Sequence, residues 1–349
     1  MNFASDNWAG ASPRVLDALR RAAEGIAPAY GQDETTQALA RRLSTLFERE
    51  VAVFLTPTGT ATNALALAAL CPPNGAVLAH EEAHVIADEY GAPEFFGQGT
   101  RLIGMPGVGG KIDIAAIEAA FDRLPAAGSR QPTPAALTLT QASECGGVYS
   151  VPEVQALAAA AKARGLAVHM DGARFANAVA ALKCTPAEIT WKAGVDALSF
   201  GGTKNGALMA EAVVFFDPAL ARDFDWRRRR GGHVVSKARL ISAQFLALLE
   251  DGHWLDLARH ANAMAARLAE GLRTAGHRIP WPTQANEVFP VLPRPLIARL
   301  QAAGAAFYEW PTQSLAPEDA PEEDEALVRL VTSFATTPAE VERFLDAAA

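Results

Sequence analysis

The sequence predicts an α/β fold: a mostly parallel, seven-stranded sheet flanked by helices, with a smaller α+β domain at its C-terminal end. Three observations carry that expectation. Short apolar runs alternate with segments of helical period through roughly the first 250 residues, the pattern of strands buried on both faces and joined by crossover helices. Beyond that point the texture changes to a long Ala-rich segment, a Pro-rich stretch and short β-like pieces. The chain has 349 residues, 50% of them hydrophobic, which suffices for a large core and two lobes.

The elements can be justified in chain order. Ser12-Pro13 opens the first helix, with proline in the turn whose N–H groups have no partner. Asp33 caps a second helix that carries Leu39, Leu43, Leu46 and Phe47 on one stripe. Strands are expected at Val51–Thr56, Ala76–Ala79, Arg101–Gly104, Ala136–Thr140, Leu166–Met170, Ala197–Phe200 and Glu211–Phe216. A long helix near Trp254–Ala275 begins the smaller lobe, followed by the Pro-rich stretch Pro280–Pro295 and a β-like piece at Leu327–Val331. The acidic run APEDAPEEDE, Ala316 to Glu325, reads as a solvated loop.

Composition narrows the function classes. A net charge of -8 argues against a nucleic-acid binder or a partner of anionic membranes, because phosphate binding needs a basic face. The basic run Arg227 to Arg230 is the one departure. Cys71, Cys145 and Cys184 are too few and too far apart for a disulfide framework or a CxxC zinc site, so no metal-binding residue is assigned, a metal requirement stays open, and a reducing cytoplasm fits. The N-terminal stretch MNFASDNWAGASP has no signal-peptide pattern, and no segment approaches a membrane span.

Three segments can carry chemistry. In LTPTGTATNALALAAL, Leu55 to Leu70, a strand gives way to a helix through a turn holding Thr58, Gly59 and Thr60. Free N–H groups and the helix dipole would converge there on a phosphate; a plain strand-to-helix turn is the alternative. In LAVHMDGARFANA, a carboxylate at the end of a buried strand, Asp171, either caps the next helix or faces a ligand at the sheet edge. In SFGGTKNGAL, Lys204 follows a strand by one glycine turn, at that same edge. A phosphate seat, a strand-end carboxylate and an amine able to condense with a carbonyl are the parts needed to hold pyridoxal phosphate. His84, after the second strand in HEEAHVIADE, is the candidate ring to lie over that cofactor.

With those residues read, the sequence resembles the low-specificity L-threonine aldolase and phenylserine aldolase family of fold-type I pyridoxal phosphate enzymes. The likeness runs through ASDNWAG, AYGQDE, TPTGTATN, EEAHV, YGAPEFF, HMDGARFANA, KAGVDALSFGGTKNG and RLVTSF. It implies a division into residues 1–25, a segment contributing to the substrate site, a large cofactor domain over 26–250 and a small domain over 251–349. It implies that Lys204 anchors the cofactor, Asp171 pairs with its ring nitrogen, Thr58, Gly59 and Thr60 hold its phosphate, and His84 stacks on its ring. Arg174 would lie near the cofactor's phenolic oxygen and the substrate, and Ser5 and Arg329 would bind the substrate's α-carboxylate. Tyr30 and Arg228 match segments that approach the active site from a neighbouring subunit, which implies a homo-oligomer, dimer or tetramer. One branch of the family has a histidine in a THNG-like turn where this sequence has Glu144 in QASECGG, so that histidine's role is not carried over. The implied reaction is cleavage of an L-β-hydroxy-α-amino acid to glycine and an aldehyde, with His84 or a water it holds as base. A phenylserine-preferring aldolase and a β-eliminating lyase are the alternatives.

Overall fold

The computed structural model describes residues 1–123 and 132–349. The seven expected strands are all found: β1 Ala52–Thr56, β2 Gly75–His80, β3 Arg101–Met105, β4 Thr133–Thr140, β5 Ala167–Gly172, β6 Ala197–Gly201 and β7 Glu211–Phe215. They form one sheet in the order β1-β7-β6-β5-β4-β2-β3. β7 runs antiparallel to its two neighbours, β1 and β6, and the remaining pairs are parallel. β2, β6 and β7 are buried along their whole length, as strands covered on both faces must be. β4 begins earlier than its apolar run suggests, because Thr133 and Pro134 pair with Gly75 and Ala76 before the register shifts. That irregularity is what lets a proline sit within a strand.

Local chemistry sets the helices. Asp33 Oδ1 accepts the Thr36 N–H at 2.8 Å, and Ser12 Oγ accepts that of Val15. Leu39, Leu43 and Phe47 are then buried under the sheet. The helix Gly59–Leu70 differs: it is buried on nearly every face, which its run of alanines and leucines permits.

The smaller lobe begins with the helix His253–Thr274 and holds a second sheet. Its strands are β8 Glu287–Val288, β9 Val291–Pro293, β10 Tyr308–Glu309 and β11 Glu325–Val331; β11 pairs with the other three. The Pro-rich stretch thus supplies two short strands, with Pro290 between them and Pro293 at the second one's end. Between Ala316 and Glu325 there is a single 3-10 turn, Pro317–Asp319, before β11 starts. The first residues also belong to this lobe's core. Phe3 N–H donates to Ala306 O, Val331 N–H donates to Phe3 O, and the Phe3 ring meets Phe344 at 5.1 Å. The helix Pro13–Ala23 instead packs on Arg239–Leu249 in the large core, so Ser5 and Asp6 lie where the two lobes meet. Among the described residues no helix is long and apolar enough to cross a membrane.

Candidate active site

Thr58, Gly59, Thr60, His84, Asp171, Arg174 and Lys204 line one cavity of about 290 Å³. It lies at the C-terminal ends of β1, β5 and β6, where open α/β sheets take ligands.

Each residue is held there for a local reason. Thr58 is the N-cap of Gly59–Leu70 and accepts the Ala61 N–H at 3.2 Å, which leaves the first N–H groups of that helix for a ligand. A Cβ on Gly59 would meet nothing within 4 Å, so the space above this helix end is open. Asp171 does not cap the following helix, whose N-cap is Arg174. Its Oδ1 accepts the Ala173 N–H at 3.0 Å and its Oδ2 accepts Nδ2 of Asn63 at 2.7 Å. Lys204 lies in a one-turn 3-10 helix, Thr203–Asn205, directly after β6.

A buried polar network surrounds the site. Asn63 donates also to Glu89 Oε1 at 2.8 Å, and that same oxygen lies 2.9 Å from His84 Nδ1. The hydrogen bond to Glu89 raises the His84 imidazole above its ordinary value, while burial raises the Glu89 carboxyl. The His84 backbone N–H donates to Glu144 Oε1 at 2.8 Å. On the opposite side Glu211, at the start of β7, accepts the Thr203 N–H; burial pushes its carboxyl up to about 7 against the pull of the Thr203 hydrogen bonds and the Lys204 charge.

Arg174 forms a two-pronged pair with Asp6, Nε to Oδ2 at 2.7 Å and Nη2 to Oδ1 at 3.1 Å. Burial works to raise the Asp6 carboxyl, but the charges of Arg174 and Lys204 and hydrogen bonds from Arg174 and Asn286 hold it below the usual range. Glu287 stands between two guanidinium groups, 3.3 Å from Arg174 and 4.0 Å from Arg329. Arg329 also lies over the Trp310 ring at 4.2 Å.

Four expected site residues do not line the cavity. Ser5 Oγ accepts the Asn7 N–H one residue from Asp6, and Arg329 connects to Arg174 through Glu287. Tyr30 is more than half exposed, and Arg228 donates to Leu55 O on β1 and pairs with Asp225. Sequence reading passed over Asn63, Glu89, Asp6, Glu211 and Glu287. Two carried a signal: Asn63 is an amide inside an otherwise apolar helix, and Glu211 heads a strand of sequence EAVVF. Among the described residues no group of three or more His, Cys, Asp or Glu could hold a metal ion.

Residues 2–293 match the family described as Beta-eliminating lyase. A low-specificity L-threonine aldolase of Pseudomonas sp. (strain NCIMB 10558) is 45% identical over 88% of this chain and 88% of its own. The chain belongs to the beta-eliminating lyases, among the low-specificity L-threonine aldolases. The threonine aldolase of Leishmania major superposes on this family member with a TM-score of 0.91 at 29% identity, covering 99% of this chain and 98% of the other. A serine palmitoyltransferase from S. paucimobilis with bound PLP and myriocin shares the fold, with a TM-score of 0.70 at 17% identity, covering 100% and 86%. The fold is therefore that of fold-type I enzymes, and the chain is a lyase.

Proposed function

We propose that the protein cleaves L-β-hydroxy-α-amino acids, L-threonine and L-allo-threonine among them, to glycine and an aldehyde, with pyridoxal phosphate as cofactor. The observation that carries this reading is the convergence of Lys204, Asp171 and the Thr58–Thr60 turn on one cavity, in a chain of this family. The donor set suits the cofactor: an amine, a fixed carboxylate for a protonated ring nitrogen, and a helix end with open space above Gly59 for a phosphate. When bound, that cofactor supplies a sink for the electron pair left on the substrate's Cα as the Cα–Cβ bond breaks.

The chain's own residues do the rest. Lys204 provides the amine that anchors the cofactor. Asp171 keeps one orientation because Asn63 and the Ala173 N–H fix both its oxygens. His84 is held for packing over the cofactor ring by its ties to Glu89 and Glu144. Arg174, held by Asp6 and Glu287, is the guanidinium of the cavity suited to the substrate carboxylate, and Arg329 and Ser5, outside the lining, are the further candidates. A mainly apolar pocket for the β-substituent would separate substrates by only about 1–3 kcal/mol, which fits a loose preference.

The working unit in this reading is a homo-oligomer, a dimer or tetramer in the cytoplasm, with Tyr30 and Arg228 offered to a neighbour's site. Tyr30, Phe95, Trp226, Leu208 and Met209 are large apolar side chains left exposed in the single chain. The segments DNWAGASP and VTSFATT make L-phenylserine the second substrate to test. Incubation with each amino acid should give glycine and acetaldehyde or benzaldehyde. Release of ammonia and a keto acid instead would overturn the reading, as would a Lys204→Ala variant that still turns over.

A further inference from the structure

Three carboxylates line the cavity, Asp171, Glu211 and Glu144, and the last is not accounted for by cofactor binding. Glu144 follows β4 in the turn QASECGG and lines the cavity with His84 and Asp171. It is buried, and its two oxygens are treated differently. Oε1 accepts the His84 N–H at 2.8 Å and the Thr140 hydroxyl at 2.9 Å. Oε2 is buried and, among the described residues, has no hydrogen-bond partner. A carboxylate normally satisfies both oxygens when taken out of water, and one left bare beside a cavity is suited to a ligand's hydroxyl or to a proton.

We propose that Glu144 is the base of the aldol cleavage: its Oε2 takes the proton of the substrate's β-hydroxyl. The inference rests on the retro-aldol reading given above. The step balances within the substrate. The O–H bond breaks and its proton goes to Oε2; the oxygen's pair forms the aldehyde C=O; the Cα–Cβ pair stays at Cα until a proton returns there as glycine forms. No oxidant or further reactant is needed.

Two features favour Glu144 over His84. The imidazole's Nδ1 is taken by Glu89, and that contact holds the ring toward its protonated form, in which it has no lone pair to accept a proton. Glu144 is raised too, but as a carboxyl this brings it close to neutrality: burial, helped by the charge of Asp171, pushes it up to about 7, against hydrogen bonds from the His84 N–H and Thr140. A base poised near neutrality both accepts and returns a proton readily. The groups acting on it electrostatically are Asp171 and Arg174, with Cys145 and Tyr149 feeling its charge in turn.

The discriminating variant is Glu144→Gln. Its amide oxygen can still accept from the His84 N–H and Thr140, so the positioning survives and only the ionisable oxygen is lost. In the cofactor-loaded enzyme, kcat on L-threonine should fall by about 10²- to 10⁴-fold, the range for a lost general base, and the acid limb of kcat/KM should disappear. Affinity for glycine, which has no β-hydroxyl, should stay within about twofold, read from the cofactor's absorbance. In the cofactor-free chain, the infrared carboxylic acid absorption that titrates near neutral pH, to which Glu211 also contributes, should lose the Glu144 component in the variant and keep the rest. Retained turnover within about threefold, or loss of glycine affinity in step with turnover, would assign Glu144 a positioning role and overturn the proposal. If Glu144→Gln does not fold, Glu144→Asp decides: a base with a shorter reach keeps a measurable acid limb, whereas its absence at full turnover refutes the step. Failure of the retro-aldol reading itself would look different, with wild-type enzyme releasing no aldehyde while the infrared titration is unchanged.

Discussion

Replacing Asn63 by leucine, which has the same number and branching of side-chain heavy atoms but no polar group, tests whether the amide is the keystone of the buried network. The side chain donates through one nitrogen to two carboxylates, Asp171 at 2.7 Å and Glu89 at 2.8 Å, and is itself 2% exposed. Hydrogen bonds to charged groups contribute about 1.5–3 kcal/mol each, so losing both should cost roughly 3–6 kcal/mol at pH 8. Each carboxylate keeps one other donor, the Ala173 N–H for Asp171 and His84 for Glu89, which places the outcome toward the lower end. The cost should shrink toward lower pH, because the amide is one of the hydrogen bonds that oppose the burial-driven rise of the Glu89 carboxyl. Urea denaturation of cofactor-free wild type and Asn63→Leu at pH 8 and at lower pH reads the difference directly. An unchanged midpoint at pH 8 would refute the idea that this amide holds the two carboxylates in place.

Three further outcomes follow from the same geometry. Asp6→Ala leaves Arg174 buried beside Glu287 alone, and should cost about 3–5 kcal/mol in chemical denaturation and raise KM for the amino acid; a loss under about 1 kcal/mol would show that the pair contributes little. Gly172→Ala should cost about 1–3 kcal/mol in thermal unfolding, because a Cβ there would lie 2.6 Å from Ser199 O and 2.8 Å from Leu198 Cδ1 between β5 and β6; an unchanged Tm would contradict this. Glu211, with an ordinary value of 4.5 raised to about 7 in the folded chain, contributes stability that is present below its unfolded pKa and lost as the pH rises through 7. Glu211→Gln should therefore remove roughly 3 kcal/mol of the excess stability at pH 5 over pH 8, and a variant with the same pH dependence as wild type would rule that carboxyl out as its source.

What could be read from the sequence was local. Each strand of the large sheet announced itself through its own apolar run, and Lys204, Asp171 and Thr58–Thr60 stood out because each follows a strand by a few residues. Their convergence could be inferred because strand ends in a parallel sheet share one edge. The partners were hidden for the opposite reason. Asp6 meets Arg174, and Asn63 meets Asp171, only after long stretches of chain have folded between them, and neither pairing has a periodicity. Phe3 likewise joins the core of the lobe at the far end of the sequence, a contact that no local pattern near the N-terminus signals. β8 and β9 were obscured by the prolines that flank them, which disfavour strand on local grounds and are tolerated where strands are two or three residues long.

The place of β1 in the sheet has a consequence for the order of assembly. This strand leads into the turn that presents Thr58 and Gly59, yet among the described residues its only strand neighbour is β7, with Ala52 opposite Phe215. While the chain is being synthesised, β2 through β6 can pair among themselves, and Asp171 and Lys204 can reach their edge, before β7 exists to receive β1. Pairings so distant in sequence bear the largest loop-closure cost and form late. A chain halted before Glu211 would thus own the amine and the carboxylate but no stable seat for a phosphate. Closing the sheet and completing the binding site are one event, and a phosphate-bearing ligand can stabilise only a chain that has already passed it.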